Sequence, residues 1–275
     1  MKKSLLSRIG LYSALVVLLI FVIFPIYYML AVSFRSQSSM FSNPSWFPVD
    51  LSLKNYRVAF ASREFLTSMR NSIAVGVVTT SVGLVFSILA AYSLTILRYR
   101  GRDTFGRVII VAFLTPGALL FIPLAVIAAR LNISNTLHGL MIIYLSFIVP
   151  LGTYLLLGFF RNLVGELEEA ARMDGATRLQ ALWFILLPLI APGVASVAIL
   201  TFTACWNEYL YALVLNPNPE FRTLPVAVTF LQVADESPLG LIMAYSAIGA
   251  IPILILFFIG QRFIVEGLQT GAVKG

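Results

Sequence analysis

The chain has 275 residues, a mean hydropathy of +0.93, 59% apolar residues and only 11% charged ones. That balance excludes a water-soluble domain, in which about a quarter of the residues are charged. The formal net charge of +7 is scattered over short polar segments with no basic stripe or stacking platform, so it reflects membrane topology and contact with anionic lipid rather than nucleic acid.

Six runs free of Asp, Glu, Lys and Arg follow one another: Ile9 to Phe34, Asn71 to Leu97, Val108 to Ala129, Leu131 to Phe160, Leu179 to Asn207 and Ser237 to Gln261. Each exceeds the roughly 20 residues that a helix needs to cross a bilayer core. A barrel would show short alternating segments instead, so the expected fold is an all-α integral membrane protein with six transmembrane helices. The first run is too long for a signal peptide and lacks a small-residue cleavage site, so it is expected to stay attached. Pro25, Pro116, Pro123, Pro150, Pro192 and Pro252 fall within the expected spans, where each removes a backbone donor and kinks its helix.

An even span number puts both termini on one side. Lys2, Lys3, Arg8, then Arg98, Arg100, Arg102 and Arg107, then Arg161, Arg172 and Arg178, then Arg262 and Lys274 crowd that side. The opposite side is sparser per residue, although the segment from Arg35 to Arg70 holds five basic residues. The bias makes both termini cytoplasmic. The expected layout is a cytoplasmic N-terminus over 1–8, a membrane domain over 9–267 and a cytoplasmic tail over 268–275; the three glycines of the stretch Gly267 to Gly275 argue against an independent helix there.

Motifs for chemistry are lacking. Gly101 to Val108 reads GRDTFGRV, with Arg107 and Val108 where a phosphate-binding loop needs lysine and a hydroxyl, so it reads as a short basic turn. His138 has no second ligand for a metal, and Asn132-Ile133-Ser134 lies in a tight outer turn. Cys205 is the sole cysteine, so no internal disulfide can form. With no carboxylate pair and no nucleophile with its base, the chain is read as non-catalytic, binding neither metal nor cofactor itself.

The polar segment 161–187 is the most informative. Glu166, Glu168, Glu169, Arg172 and Asp174 surround the small pair Ala170 and Ala171. Gly175 supplies a residue that can take the left-handed conformation closing a helix, and Thr177 with Gln180 forms a capping box opening the next one. Two short helices meeting at Gly175 are therefore expected. The plain reading is an amphipathic helix on the membrane surface.

Glu169, Ala170, Ala171, Gly175, Ile185, Leu187 and Pro188 occur in the spacing E-A-A, three residues, G, nine residues, I-x-L-P. This resembles the cytoplasmic EAA loop of permease subunits in binding-protein-dependent ABC importers. Three further stretches narrow the resemblance to carbohydrate permeases like the second membrane subunit of maltose transporters: Asn71 to Arg102, the string TACWNEYLYALVLNP over Thr203 to Pro217, and GLQTGAVKG over Gly267 to Gly275.

The resemblance implies a type I importer permease of a bacterial or archaeal inner membrane. Its partners would be a second permease subunit, two ATPase subunits that hold ATP and Mg, and an extracytoplasmic solute-binding protein. It implies that Glu169, Ala170, Ala171, Asp174, Gly175 and Ala176 dock on an ATPase subunit, with Ala170 and Ala171 as a close-packing floor and Ile185, Leu187 and Pro188 as structural positions. The tail would tuck between the ATPase subunits. In the outer loop 216–238, Thr223, Leu224, Pro225, Val226 and Phe230 would reach the binding protein. Trp206, Asn207 and Glu208 either belong to the pathway or form an aromatic interface belt, with Glu208 reaching headgroup water. The expected solute is a sugar or sugar-like molecule. A glycerol phosphodiester or oligouronide importer stays open as an alternative, as does an ATP-independent channel.

Overall fold

The computed structural model describes residues 5–42, 45, 47, 51–162, 166–233 and 238–272, of which residues 5–8, 37, 38, 41, 162, 166 and 264–272 by backbone alone. Among the described residues all regular structure is helical. In chain order the helices are α1 (Leu5–Ser33), α2 (Gln37–Ser42), α3 (Lys54–Ala61), α4 (Arg63–Thr95), α5 (Arg102–Leu114), α6 (Gly117–Arg130) and α7 (Leu137–Asn162). There follow α8 (Glu166–Met173), α9 (Arg178–Ala181), a π-helical segment (Leu182–Leu186) and α10 (Leu187–Leu189). The series ends with α11 (Ala191–Trp206), α12 (Leu210–Leu215), α13 (Leu224–Val233) and α14 (Leu239–Ala272).

Four stretches are long and apolar enough to cross a membrane: Ile9–Ser33, Arg63–Thr95, Leu137–Arg161 and Leu239–Phe263. Two more crossings are broken, Arg102–Leu114 with Gly117–Arg130 at 103° and Arg178–Leu189 with Ala191–Trp206 at 83°, giving up to six spans. The breaks correct the expectation for two prolines. Pro116 sits at the N-cap of α6 and Pro192 in the first turn of α11, where a missing N–H leaves no helical bond unmade. Pro25, Pro123, Pro150 and Pro252 do lie inside helices. The stretch 268–272, expected to be tail, continues α14 instead, while residues 1–4 and 273–275 lie outside the description.

The chain forms two compact units, one of residues 1–66 and 227–251, the other of residues 67–226 and 252–275. In the first, the Asn55 side-chain amide donates to the carbonyls of Ser33 (2.9 Å) and Arg35 (2.8 Å), answering two acceptors that α1 leaves at its end. The Ser33 hydroxyl meets that of Tyr56 at 2.7 Å, and the Phe34 and Tyr56 rings lie 4.9 Å apart. Gly240, at the start of α14, comes so near that a Cβ there would overlap the Asn55 amide nitrogen.

The second unit has two apolar cores. One gathers Val75, Leu140, Ile143, Tyr144, Ile148, Tyr211, Leu215 and Val226; the other gathers Ile88, Tyr92, Leu156, Phe160, Leu182, Leu186 and Val197. Lipid tails are as apolar as leucine, so helices here associate through close packing between small residues. Gly83 of α4 lies against Ile148, Gly152 of α7 against Ser87, and Gly193 of α11 against the Phe159 ring. The Ser87 hydroxyl then donates to the Val149 carbonyl at 3.1 Å, joining α4 to α7.

A Cβ at Gly152 would stand 2.5 Å from Ser87 Oγ and 3.0 Å from Ser87 Cβ. Gly152→Val should therefore cost about 1–3 kcal/mol through overpacking. It should lower the thermal melting point of the detergent-solubilised protein; an unchanged melting point would mean that the α4–α7 crossing is loose.

Candidate functional site

The polar segment between α7 and α11 is a helical hairpin ending in an elbow. Helix α8 closes with a left-handed glycine: Gly175 has φ of +94°. Its N–H donates to the Arg172 carbonyl (3.1 Å), and that of Ala176 donates to the Ala171 carbonyl (3.0 Å). This is the double bond pattern that ends a helix on glycine. Two residues after Gly175 the Thr177 hydroxyl accepts from the Gln180 N–H (3.3 Å) while the Gln180 side-chain oxygen accepts from the Thr177 N–H (2.8 Å). The reciprocal cap opens α9 as its sequence indicates.

Beyond α9 the ladder widens into the π turn Leu182–Leu186, directly ahead of Pro188. Pro188 has no N–H for the Phe184 carbonyl, and a π turn is a common answer to such an interruption. Leu182 and Leu186 are buried in the second core, whereas Ile185 and Leu187 are half-buried and Pro188 is exposed. Ile190 then bends the chain by 83° into α11, with Ile190 N–H donating to the Leu186 carbonyl and Val194 N–H to the Ile190 carbonyl.

The faces of α8 differ from the expectation. Glu169, Ala170, Met173, Asp174 and Gly175 are exposed and Ala176 half-buried, while Ala171 is packed into the chain's own interior. Of the two alanines only Ala170 is left on the surface, because Ala171 lies about 100° round the helix and covers the protein itself. Leu167 and Met173 add apolar surface beside Ala170, Met173 at 89% exposure. Residues 163–165 of the expected loop lie outside the description.

Glu168, which the motif does not single out, is 5% exposed. Its Oε1 stands 3.9 Å from Arg172 Nε, 3.8 Å from Arg178 Nε and 3.4 Å from the Tyr92 hydroxyl, which donates to it. The i, i+4 spacing from Glu168 to Arg172 is the one signal in the sequence that could have pointed to it.

At the other end of α11, Trp206 is buried, Asn207 exposed and Glu208 half-buried. The Glu208 carboxylate accepts from the Tyr144 hydroxyl (2.5 Å) and from the N–H groups of Tyr211 (2.8 Å) and Ala212 (3.1 Å). A negative charge thus answers the unmet donors at the start of α12.

The expected outer loop is largely fastened down. The Asn71 amide donates to the Glu220 (2.9 Å) and Arg222 (3.0 Å) carbonyls, and Ser72 Oγ accepts from Leu224 N–H at 2.7 Å. Thr223, Leu224 and Val226 are buried, Pro225 is half-buried, and Phe230 is 40% exposed. The buried three therefore fix the loop instead of offering surface. Residues 234–237 lie outside the description. His138 meets only Thr136 Oγ1 at 3.4 Å, and among the described residues no group of His, Cys, Asp and Glu could hold a metal.

Up to six crossings and a capped hairpin between two of them define a multi-pass membrane protein of the transporter permease class. Residues 63–268 match the family described as binding-protein-dependent transport system inner membrane component, and the chain belongs to that family. It is 37% identical to the diacetylchitobiose uptake system permease protein DasC of Streptomyces coelicolor, with all of both chains covered. It is 34% identical to the trehalose transport system permease protein SugB of Mycobacterium tuberculosis, covering 93% of each. Among solved structures it resembles a chain of a bacterial ABC transporter involved in import of the acidic polysaccharide alginate: TM-score 0.80, 26% identity, 95% of this chain and 99% of that one.

A Cβ at Gly175 would meet nothing within 4 Å, so any cost of replacing it is conformational. Gly175→Ala should destabilise the hairpin locally by about 1 kcal/mol, raising amide exchange over residues 172–177 by roughly fivefold. Exchange at the wild-type rate would show that the left-handed turn is not held.

Proposed function

We propose that this chain is the permease subunit of an ATP-driven importer for a sugar or sugar-like solute and forms half of the translocation pathway. The observation that carries the solute class is end-to-end similarity to permeases named for diacetylchitobiose and trehalose. Membership of a binding-protein-dependent family also weighs against an ATP-independent channel. The other half would be a second permease, the power would come from two ATPase subunits holding ATP and Mg, and solute would arrive on an external binding protein. A chain similar in fold has been crystallised in an alginate transporter complexed with a periplasmic protein bound to alginate pentasaccharide. The chain would lie in the inner membrane with both termini cytoplasmic, as the distribution of arginine and lysine supports.

Helix α8 is the coupling element in this reading. It projects Glu169, Ala170 and Met173 outward from a backbone closed at its C-terminal end by Gly175 and followed at once by the capped start of α9, which suits a short helix seated in a cleft of an ATPase subunit. Closure of the ATPase dimer would push on α8, and the elbow at Ile190 would pass that push to α11. On the opposite face, Phe230 and the rest of α13 would meet the binding protein, held in place by the buried Thr223, Leu224 and Val226. The chain carries no covalent chemistry of its own here.

The test is the reconstituted complex in proteoliposomes with the cognate binding protein. Glu169→Lys should insert normally yet lower solute-stimulated ATP hydrolysis by about tenfold or more, equivalent to at least ~1.4 kcal/mol of lost coupling. Wild-type stimulation in that variant would remove α8 from the coupling path. Uptake of a labelled disaccharide should be competed by related sugars and not by amino acids.

A further inference from the structure

Two adjacent glutamates on α8 point in opposite directions, and only one of them can meet a partner subunit. Glu169 is exposed, whereas the Glu168 side chain is 7% exposed and lies among groups from three elements. These are Tyr92 near the end of α4, Arg172 on α8 itself and Arg178 at the start of α9. A buried carboxylate is costly unless paired and hydrogen-bonded, so the cluster holds only while all three elements keep their places.

The partners differ in stiffness. The arginine side chains are 47% and 57% exposed and can follow a moving carboxylate on long flexible stems. Tyr92 cannot follow. It is buried in the core with Ile88, Ala91, Leu156, Phe160, Leu182 and Leu186, its ring 6.4 Å from that of Phe160. A displacement of α8 must therefore either break the contact with Tyr92 or carry the end of α4 along.

We propose that Glu168 is a positioning residue that ties the hairpin to membrane helix α4 through Tyr92, so that movement of α8 enters the membrane by α4 as well as by the elbow into α11. This rests on the reading of α8 as the coupling element. The labour is divided between neighbours: Glu169 faces outward for the ATPase subunit, and Glu168 faces inward to hold the span. A carboxylate is suited to the inner task because it accepts from a hydroxyl and pairs with two guanidinium groups at once, which an amide of the same shape cannot do.

The experiment is a double-mutant cycle in the full complex, with Glu168→Gln, Tyr92→Phe, the pair together, and Glu169→Lys as reference. Tyr92→Phe keeps the ring packing and removes one hydroxyl, so it reports even if Glu168→Gln assembles poorly. The expected result is normal co-purification with the ATPase and basal hydrolysis near wild type. The ratio of stimulated to basal hydrolysis should fall by about fivefold in each single variant and no further in the double, as for two ends of one contact. Wild-type ratios for Glu168→Gln and Tyr92→Phe beside an uncoupled Glu169→Lys would overturn the tether and leave the coupling helix standing. Additive losses that follow the melting temperature would also overturn it, reducing Glu168 to a staple. Wild-type ratios in all variants, Glu169→Lys included, would remove the coupling reading and the tether with it.

Discussion

A peptide group inside a bilayer finds no water, so every turn of this chain at membrane depth must satisfy its own N–H and C=O groups. The two broken crossings show what that permits. At Thr115, before Pro116, the Thr115 N–H and hydroxyl both donate to the Val111 carbonyl, and Leu119 N–H resumes the ladder on Pro116. At Ile190 the chain bends by 83° while the bonds Ile190 to Leu186 and Val194 to Ile190 persist. Backbone bonds are thus kept close to both bends, and the second sets the hairpin at a large angle to α11.

The same requirement explains the carboxylates. Glu168 and Glu208 sit at opposite ends of the segment from α8 to α12, and each is turned inward with a tyrosine hydroxyl as one partner. Glu208 completes the backbone at the start of α12, so its charge is used against N–H groups. Glu168 has no backbone donor among its partners here and faces two guanidinium groups instead. Both tyrosines belong to distant helices, Tyr144 to α7 and Tyr92 to α4, but the charge of Glu208 is spent on the turn that follows it, whereas that of Glu168 faces side chains of α8 and α9.

Holding the outer loop from α4 has a similar logic. Asn71 and Ser72 occupy a membrane helix yet spend their polar groups on the backbone of residues 220–224. The segment leading into α13 is thus held by side chains of α4.

Local chemistry was legible in the sequence. The lengths of the apolar runs determined an all-helical membrane protein with up to six crossings, and Gly175, Thr177 and Gln180 determined a hairpin with its caps, because both depend on residues close in the chain. The spacing from Glu169 to Pro188 carried the family resemblance for the same reason. Which way a residue faces was decided by tertiary structure alone. Glu168 and Glu169 are neighbours of identical chemistry, about 100° apart on a helix, and only the positions of Tyr92 and Arg178 turn the first inward. Ala170 and Ala171 separate likewise, one exposed and one packed. Apolarity at Leu224 and Val226 could serve a partner or a core, and packing against α4 settled it as core. The placement of Pro116 and Pro192 at helix starts inside the broken crossings depended on bends that no local pattern announces, since a proline is equally compatible with a kink and with a fresh first turn.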